Sequence, residues 1–158
     1  MRGDTQANRL EMMMKKHQVF PHYILSLPPF EMKKSALKEL KKGDILLLGL
    51  DHLSLVLSDT KGICAEVMIE HHNYADRLKI ISLHNHTKEK PSKKHQVVTV
   101  SFGEIQSRKL EVGHVIGTMD LNFEDLNIVT EQKEIAQCSL INVDGEIAVQ
   151  VNSVNQRL

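Results

Sequence analysis

Apolar residues recur along this chain in short blocks and alternations, not in the long 3.6-residue register of extended helices. Tyr23-Ile24-Leu25-Ser26-Leu27 alternates inward and outward positions. Further blocks lie at 45–48, 53–57, 63–69 and 78–81, then at 97–100, 115–116, 121–129, 135–143 and 147–151. Turn residues fall between them, at 58–62 and at Asp144-Gly145. Asp-Gly between two β-rich runs is the strongest short hairpin signal in the sequence. The spacing of the blocks predicts many short strands, the pattern of small β barrels or sandwiches. One helix is expected, over 31–42. There Met32, Leu37 and Leu40 share a face, and Gly43 stands where a left-handed cap residue ends a helix. The expected fold class is therefore mainly β, with at most one short helix per module.

The pattern also divides the chain. Residues 1–18 are polar and read as a flexible lead-in. The run HNHTKEKPSKKHQ (84–96) has no apolar residue and contains Pro91, so it cannot enter a core. It marks a linker at 85–94 between a first module, 19–84, and a second, 95–155. The two bodies repeat one order of elements. Leu40-Lys41-Lys42-Gly43-Asp44-Ile45-Leu46 aligns with Leu110-Glu111-Val112-Gly113-His114-Val115-Ile116. Gly43, Gly113 and Gly145 are the expected turn glycines. Bodies of roughly 60 residues sit near the lower limit for a free-standing core. Each is expected to bury apolar surface against the other, within one chain or between chains. Leu46, Leu48, Leu55, Leu57, Val115, Leu121 and Val149 are the candidate pairing or partner-binding residues.

Composition narrows the function. The 158 residues are 41% apolar and 25% charged, ordinary for a globular domain. Aromatics are 4% with no Trp, which argues against base-stacking and carbohydrate platforms. The formal net charge is zero, so no global field favours nucleic acid or an anionic membrane. The charge is uneven: residues 1–94 carry +5 and residues 95–158 carry −5. The first residues lack the apolar core of a secretory signal. A reducing cytoplasm with Cys64 and Cys138 unbridged is the expectation.

The Leu-x-x-Gly turn, the β residues after it and the terminal Asp-Gly hairpin resemble the SpoA ("surface presentation of antigens") family. The second module carries the closer likeness, through Leu110 to Ile116 and the run from Ala136 through Asp144-Gly145 to Val151. The first module carries it through Leu40 to Leu46. The resemblance covers residues 20–155. It departs from the family pattern at His114, where Asp is usual, and at Cys138 and Ser139, where Gly and Glu are usual. The family comprises the C-terminal domains of flagellar C-ring switch proteins and of the Q-type sorting-platform proteins of virulence-type type III secretion. The resemblance implies two small SpoA-like β-barrel modules that pair with each other. It implies a bacterial cytoplasmic location at the secretion apparatus, peripheral to the membrane. The implied partners are a full-length Q-type protein and the stator-like regulator of the export ATPase. It allows either a C-terminal fragment or a naturally separate short product.

Candidate chemistry is sparse. No Walker A loop, GxGxxG, GxSxG or HExxH occurs. His71, His72, His84, His86 and His95 fall in turns and the linker without the spacing of a metal site. Asp44, His114 and the two cysteines have no order into nucleophile, base and orienter. No catalytic residue, cofactor or metal is expected, and an enzyme using either thiol is the weakest alternative. Lys33, Lys34, Lys38, Lys41 and Lys42 read as the solvated side of the short helix, and Lys88, Lys90, Lys93 and Lys94 as a soluble linker. The alternative function is a small β-barrel adaptor that binds RNA or an acidic protein through these lysines; the zero net charge and the protein-binding resemblance favour no nucleic acid.

Overall fold

The computed structural model describes residues 20–72, 75–87, 93–119, 121–131 and 133–155. The expected lead-in at 1–18 and residues 88–92 of the expected linker lie outside them. The elements are β1 (His22–Ser26), β2 (Phe30–Lys33), α1 (Lys34–Lys38), β3 (Ile45–Leu50), β4 (Leu55–Asp59), β5 (Gly62–His72), β6 (Ala75–Thr87), β7 (His95–Gln106), β8 (Val115–Met119), β9 (Leu126–Thr130), β10 (Lys133–Val143) and β11 (Glu146–Val154). The chain is mainly β, and its strands form one open antiparallel sheet in the order β3-β11-β10-β9-β7-β1-β4-β5-β6-β8, with β2 added to β7.

That order is a palindrome of the two halves. β3 at one edge answers β8 at the other, β11 answers β6, β10 answers β5, β9 answers β4, and β7 pairs β1 at the centre. The edge strands are exchanged: β3 of the first half pairs with β11 of the second, and β8 of the second pairs with β6 of the first. The turns that launch them match closely. Gly43 N–H donates to the Val151 carbonyl at 2.8 Å, and Val151 N–H donates to Asp44 at 2.8 Å. In the other half, Gly113 N–H donates to Ile80 at 2.8 Å, and Ile80 N–H donates to His114 at 2.9 Å. Two β-bulges also repeat. The ladder shifts at Leu57/Ser58 and again at Glu134/Ala136; it shifts at Glu66/Val67 and again at Gln137/Cys138. Each bulge bends its strand and sharpens its twist, so both halves curve at the same places.

One core draws on both halves. Leu55 and Leu126, Leu57 and Ile128, Ala65 and Ala136, Val67 and Cys138, Leu78 and Val149, and Ile80 and Val151 hold corresponding positions, and all are buried in the same cluster. Cys138 thus fills the place of Val67 as a small apolar side chain. At the centre, Ser26 and Ser101 face each other across β1 and β7, both buried.

The helix is shorter than the sequence predicts. Residues 30–33 are extended and pair with β7 through Phe30↔Val98 and Met32↔Gln96, and α1 covers only Lys34–Lys38. The alternation of Phe30 and Met32 with Glu31 and Lys33 suits a strand as well as a helix. The edge of β7 supplies main-chain partners, whereas α1 has neither a side-chain cap nor an acid in its first turn. Residues 85–87, at the start of the expected linker, continue β6. Among the described residues, no helix is long and apolar enough to cross a membrane.

Candidate interaction surfaces

The structure separates the candidate pairing residues by burial and by ladder position. Leu55, Leu57 and Val149 are fully buried in the shared core. Leu46, Leu48 and Leu121 are half-buried and pack against it. Leu46 lies opposite Val149 and Val115 opposite Lys79, so these two stand in the exchanged ladders. Gly43, Gly113 and Gly145 have φ of +94°, +91° and +87°. Gly145 follows Asp144 (φ +52°) in the β10–β11 hairpin and donates its N–H to Asn142 Oδ1 at 2.9 Å.

The first surface is the edge of β3. Among the described residues no strand pairs with its outer side. Leu46 and Leu48 turn toward the core, whereas Ile45 and Leu47 are 51% and 61% exposed. Beside its start runs a groove lined by Met32, Ala36, Leu40, Ile45 and Leu46 and rimmed by Glu39, Lys41 and Asp44. The Lys41–Asp44 turn closes through Asp44 N–H to the Lys41 carbonyl and through Lys41 N–H to Asp44 Oδ2.

The second surface is the face of the first half that turns away from the core. Ile24 on β1, Met68 on β5 and Ile81 on β6 are 38%, 45% and 42% exposed there. Glu66, Ser82 and His84 stand among them, joined by Ser82 Oγ donating to Glu66 at 3.2 Å and by His84 Nε2 at 3.8 Å from the same carboxylate. The corresponding positions of the second half are polar: Thr99, Ser139 and Asn152. Asn152 Nδ2 donates to Ser139 Oγ at 2.7 Å, and Ser139 Oγ donates to the Glu124 carbonyl at 2.9 Å. One half presents apolar side chains where its counterpart satisfies a hydrogen-bond network. Ile81 follows the alternation set by buried Leu78 and Ile80, and the bulge after Ile80 brings Ser82 to the same outer face beside it.

The third is basic. Lys33 lies opposite His95 in the β2–β7 ladder, and Lys34 N–H donates to the Lys94 carbonyl at 2.9 Å. Exposed Lys93 and Lys94 therefore join exposed Lys33 and Lys34 on one surface, although some sixty residues separate them in the chain.

Among the described residues, the remaining titratable groups do not converge on a reaction centre. His84 lies on β6, not in a loop, and His71 Nδ1 is 2.6 Å from Asp76 in an exposed pair. Among the described residues no three His, Cys, Asp or Glu gather as metal ligands. Burial pushes the Cys138 thiol up to about 12. Burial and the nearby Asp59 push Cys64 up to about 11. Burial also raises the Tyr23 hydroxyl, with Cys64 and Asp59 adding to it. A thiol so far above neutral is a poor nucleophile. Both cysteines are free and buried.

No protein-family model matches the chain, and no curated protein matches it significantly.

Proposed function

We propose that this chain is a non-enzymatic structural and binding component of the cytoplasmic sorting platform of a type III secretion system, or of the related flagellar C-ring. It is read as two SpoA-like β-barrel modules paired within one chain. It docks the stator-like regulator of the export ATPase alongside a full-length Q-type protein. The observation that carries the reading is the exchange of β3 and β8 between halves launched by matched glycine turns. Each module completes its sheet with a strand of the other, and among the described residues no three His, Cys, Asp or Glu gather as metal ligands. The apolar outward patch of Ile24, Met68 and Ile81 suits a partner segment anchored by a few apolar residues, with Glu66, His84 and Lys79 as a polar rim. Affinity capture from the cells that make the protein tests this, comparing the parent with a Met68→Lys, Ile81→Lys variant. Recovery of a helical ATPase regulator and a Q-type protein by the parent, and loss of the regulator from the variant, is expected. Capture of neither by the parent refutes the platform assignment.

A second reading is an adaptor for an acidic ligand, favoured by the convergence of Lys33, Lys34, Lys93 and Lys94. RNA binding through them must weaken steeply with salt, and a titration against non-specific RNA decides it.

A further inference from the structure

We infer that β3 is a self-pairing edge: two copies of this chain add β3 to β3, antiparallel about a two-fold axis, and so extend the sheet across a homodimer. This stands independently of the platform reading.

Residues 45–50 read Ile-Leu-Leu-Leu-Gly-Leu, with no charge and no proline. Natural sheets blunt open edges with lysine, proline or a cover, because an unpaired row of N–H and C=O groups templates another strand. Among the described residues, β3 has none of these along its run. Its ladder with β11 is regular over Ile45, Leu46 and Leu47, then bulges before Leu50 meets Ile147. The regular stretch is the part able to accept a strand. Antiparallel pairing centred on Leu46 sets Ile45 of each copy opposite Leu47 of the other. These are the two exposed large side chains of β3, and the pairing covers both of them twice. The other edge differs: β8 carries Gly117 at the position of Leu47.

Charge selects a second copy as the occupant. The turn before β3 carries exposed Lys41 and Lys42 and half-buried Asp44, a net charge of +1, and exposed Asp51 follows the last residue of the strand. Beyond Asp51 lies the tip of the β10–β11 hairpin, with exposed Asp144 and Glu146, since Leu50 pairs with Ile147. The strand thus runs from a basic end to an acidic end. In the Leu46-centred register, the turn that carries Lys41 and Lys42 in each copy lies toward the Asp51 end of the other, so both ends match at once. A parallel arrangement sets like charges together. Asp51 is held ionised below the usual carboxylate range by its hydrogen bond to His52. Apolar pairing supplies the contact and the charges set its direction.

The test uses the full chain in sedimentation equilibrium across a concentration series, with hydrogen exchange read over residues 45–47. The expected result is a species of twice 17.9 kDa, with β3 amides that slow as concentration rises. Leu47→Lys, at a position already exposed, should leave the melting temperature of the dilute monomer unchanged and weaken the dimer by about tenfold or more, since it forces ammonium groups into the contact. Lys41→Asp with Lys42→Asp should weaken it, and adding Asp51→Lys to that protein should restore it. A monomer at every concentration overturns the inference. So does a dimer indifferent to Leu47→Lys, which pairs elsewhere. A monomer whose β3 amides are already slow to exchange overturns it as well, because the chain's own residues then cover the edge.

Discussion

Replacing Gly43 or Gly113 with valine isolates the strain of one turn in each half. Both glycines have φ near +90°, and a Cβ built at either meets no atom within 4 Å. The cost is therefore conformational and not steric crowding by neighbours. An L-residue held at positive φ loses about 1–2 kcal/mol, and a β-branched one sits at the upper end. Each turn also fixes two hydrogen bonds to the opposite half, Gly43 and Asp44 with Val151, and Gly113 and His114 with Ile80. If the turn relaxes to relieve strain, these weaken as well, and the loss can reach about 3 kcal/mol. For a chain of this length the melting temperature falls by roughly 2–4 °C per kcal/mol. Thermal and urea unfolding of the two valine variants should show similar losses, because the two turns have the same geometry and bonds. Asparagine tolerates positive φ and should cost distinctly less than valine at both positions. Valine variants as stable as the parent would refute the reasoning and remove the basis for equating the two turns.

Two further outcomes follow from the strand exchange and the buried thiols. Residues 1–94 expressed alone lack the β11 partner of β3 and the β8 partner of β6, and should be insoluble or strongly self-associating. Co-expression with 95–158 should rescue them, and a monomeric 1–94 with a cooperative melt, unchanged by 95–158, would contradict this. The folded thiols of Cys64 and Cys138 are raised above the ordinary 9.0, to about 11 and about 12. Above pH 9 the unfolded thiols ionise while the folded ones keep their protons, so this contribution is intact below pH 9 and is lost as pH rises toward the folded values. Urea midpoints should fall over that range, and Cys138→Val, which copies its counterpart Val67, should flatten the fall; an unaltered slope would show that Cys138 does not titrate with unfolding.

The sequence by itself determined the strand class, the Asp144-Gly145 hairpin, the two launching glycines and the repeat that relates the halves. These rest on local physics: alternation fixes which side chains face inward, and a turn needing positive φ selects glycine. The order of the blocks 53–57 and 63–69 in one half and 121–129 and 135–143 in the other was legible for the same reason. Tertiary structure decided the rest. The pattern at 30–42 fits either a strand or a helix, and the free edge of β7 settles residues 30–33 as β2. Nothing local in Ile45-Leu46-Leu47 says that its ladder partner is Val149, about a hundred residues away, and not a neighbour in its own half. Ladder pairing is set by which edge remains open once both halves collapse. The same holds for the lysines: Lys93 and Lys94 look like linker solubilisers until β2 and β7 bring them beside Lys33 and Lys34. Likewise the outward position of Ser82, beside Ile81, follows from a bulge, which shifts one residue out of the alternation that sequence reading depends on.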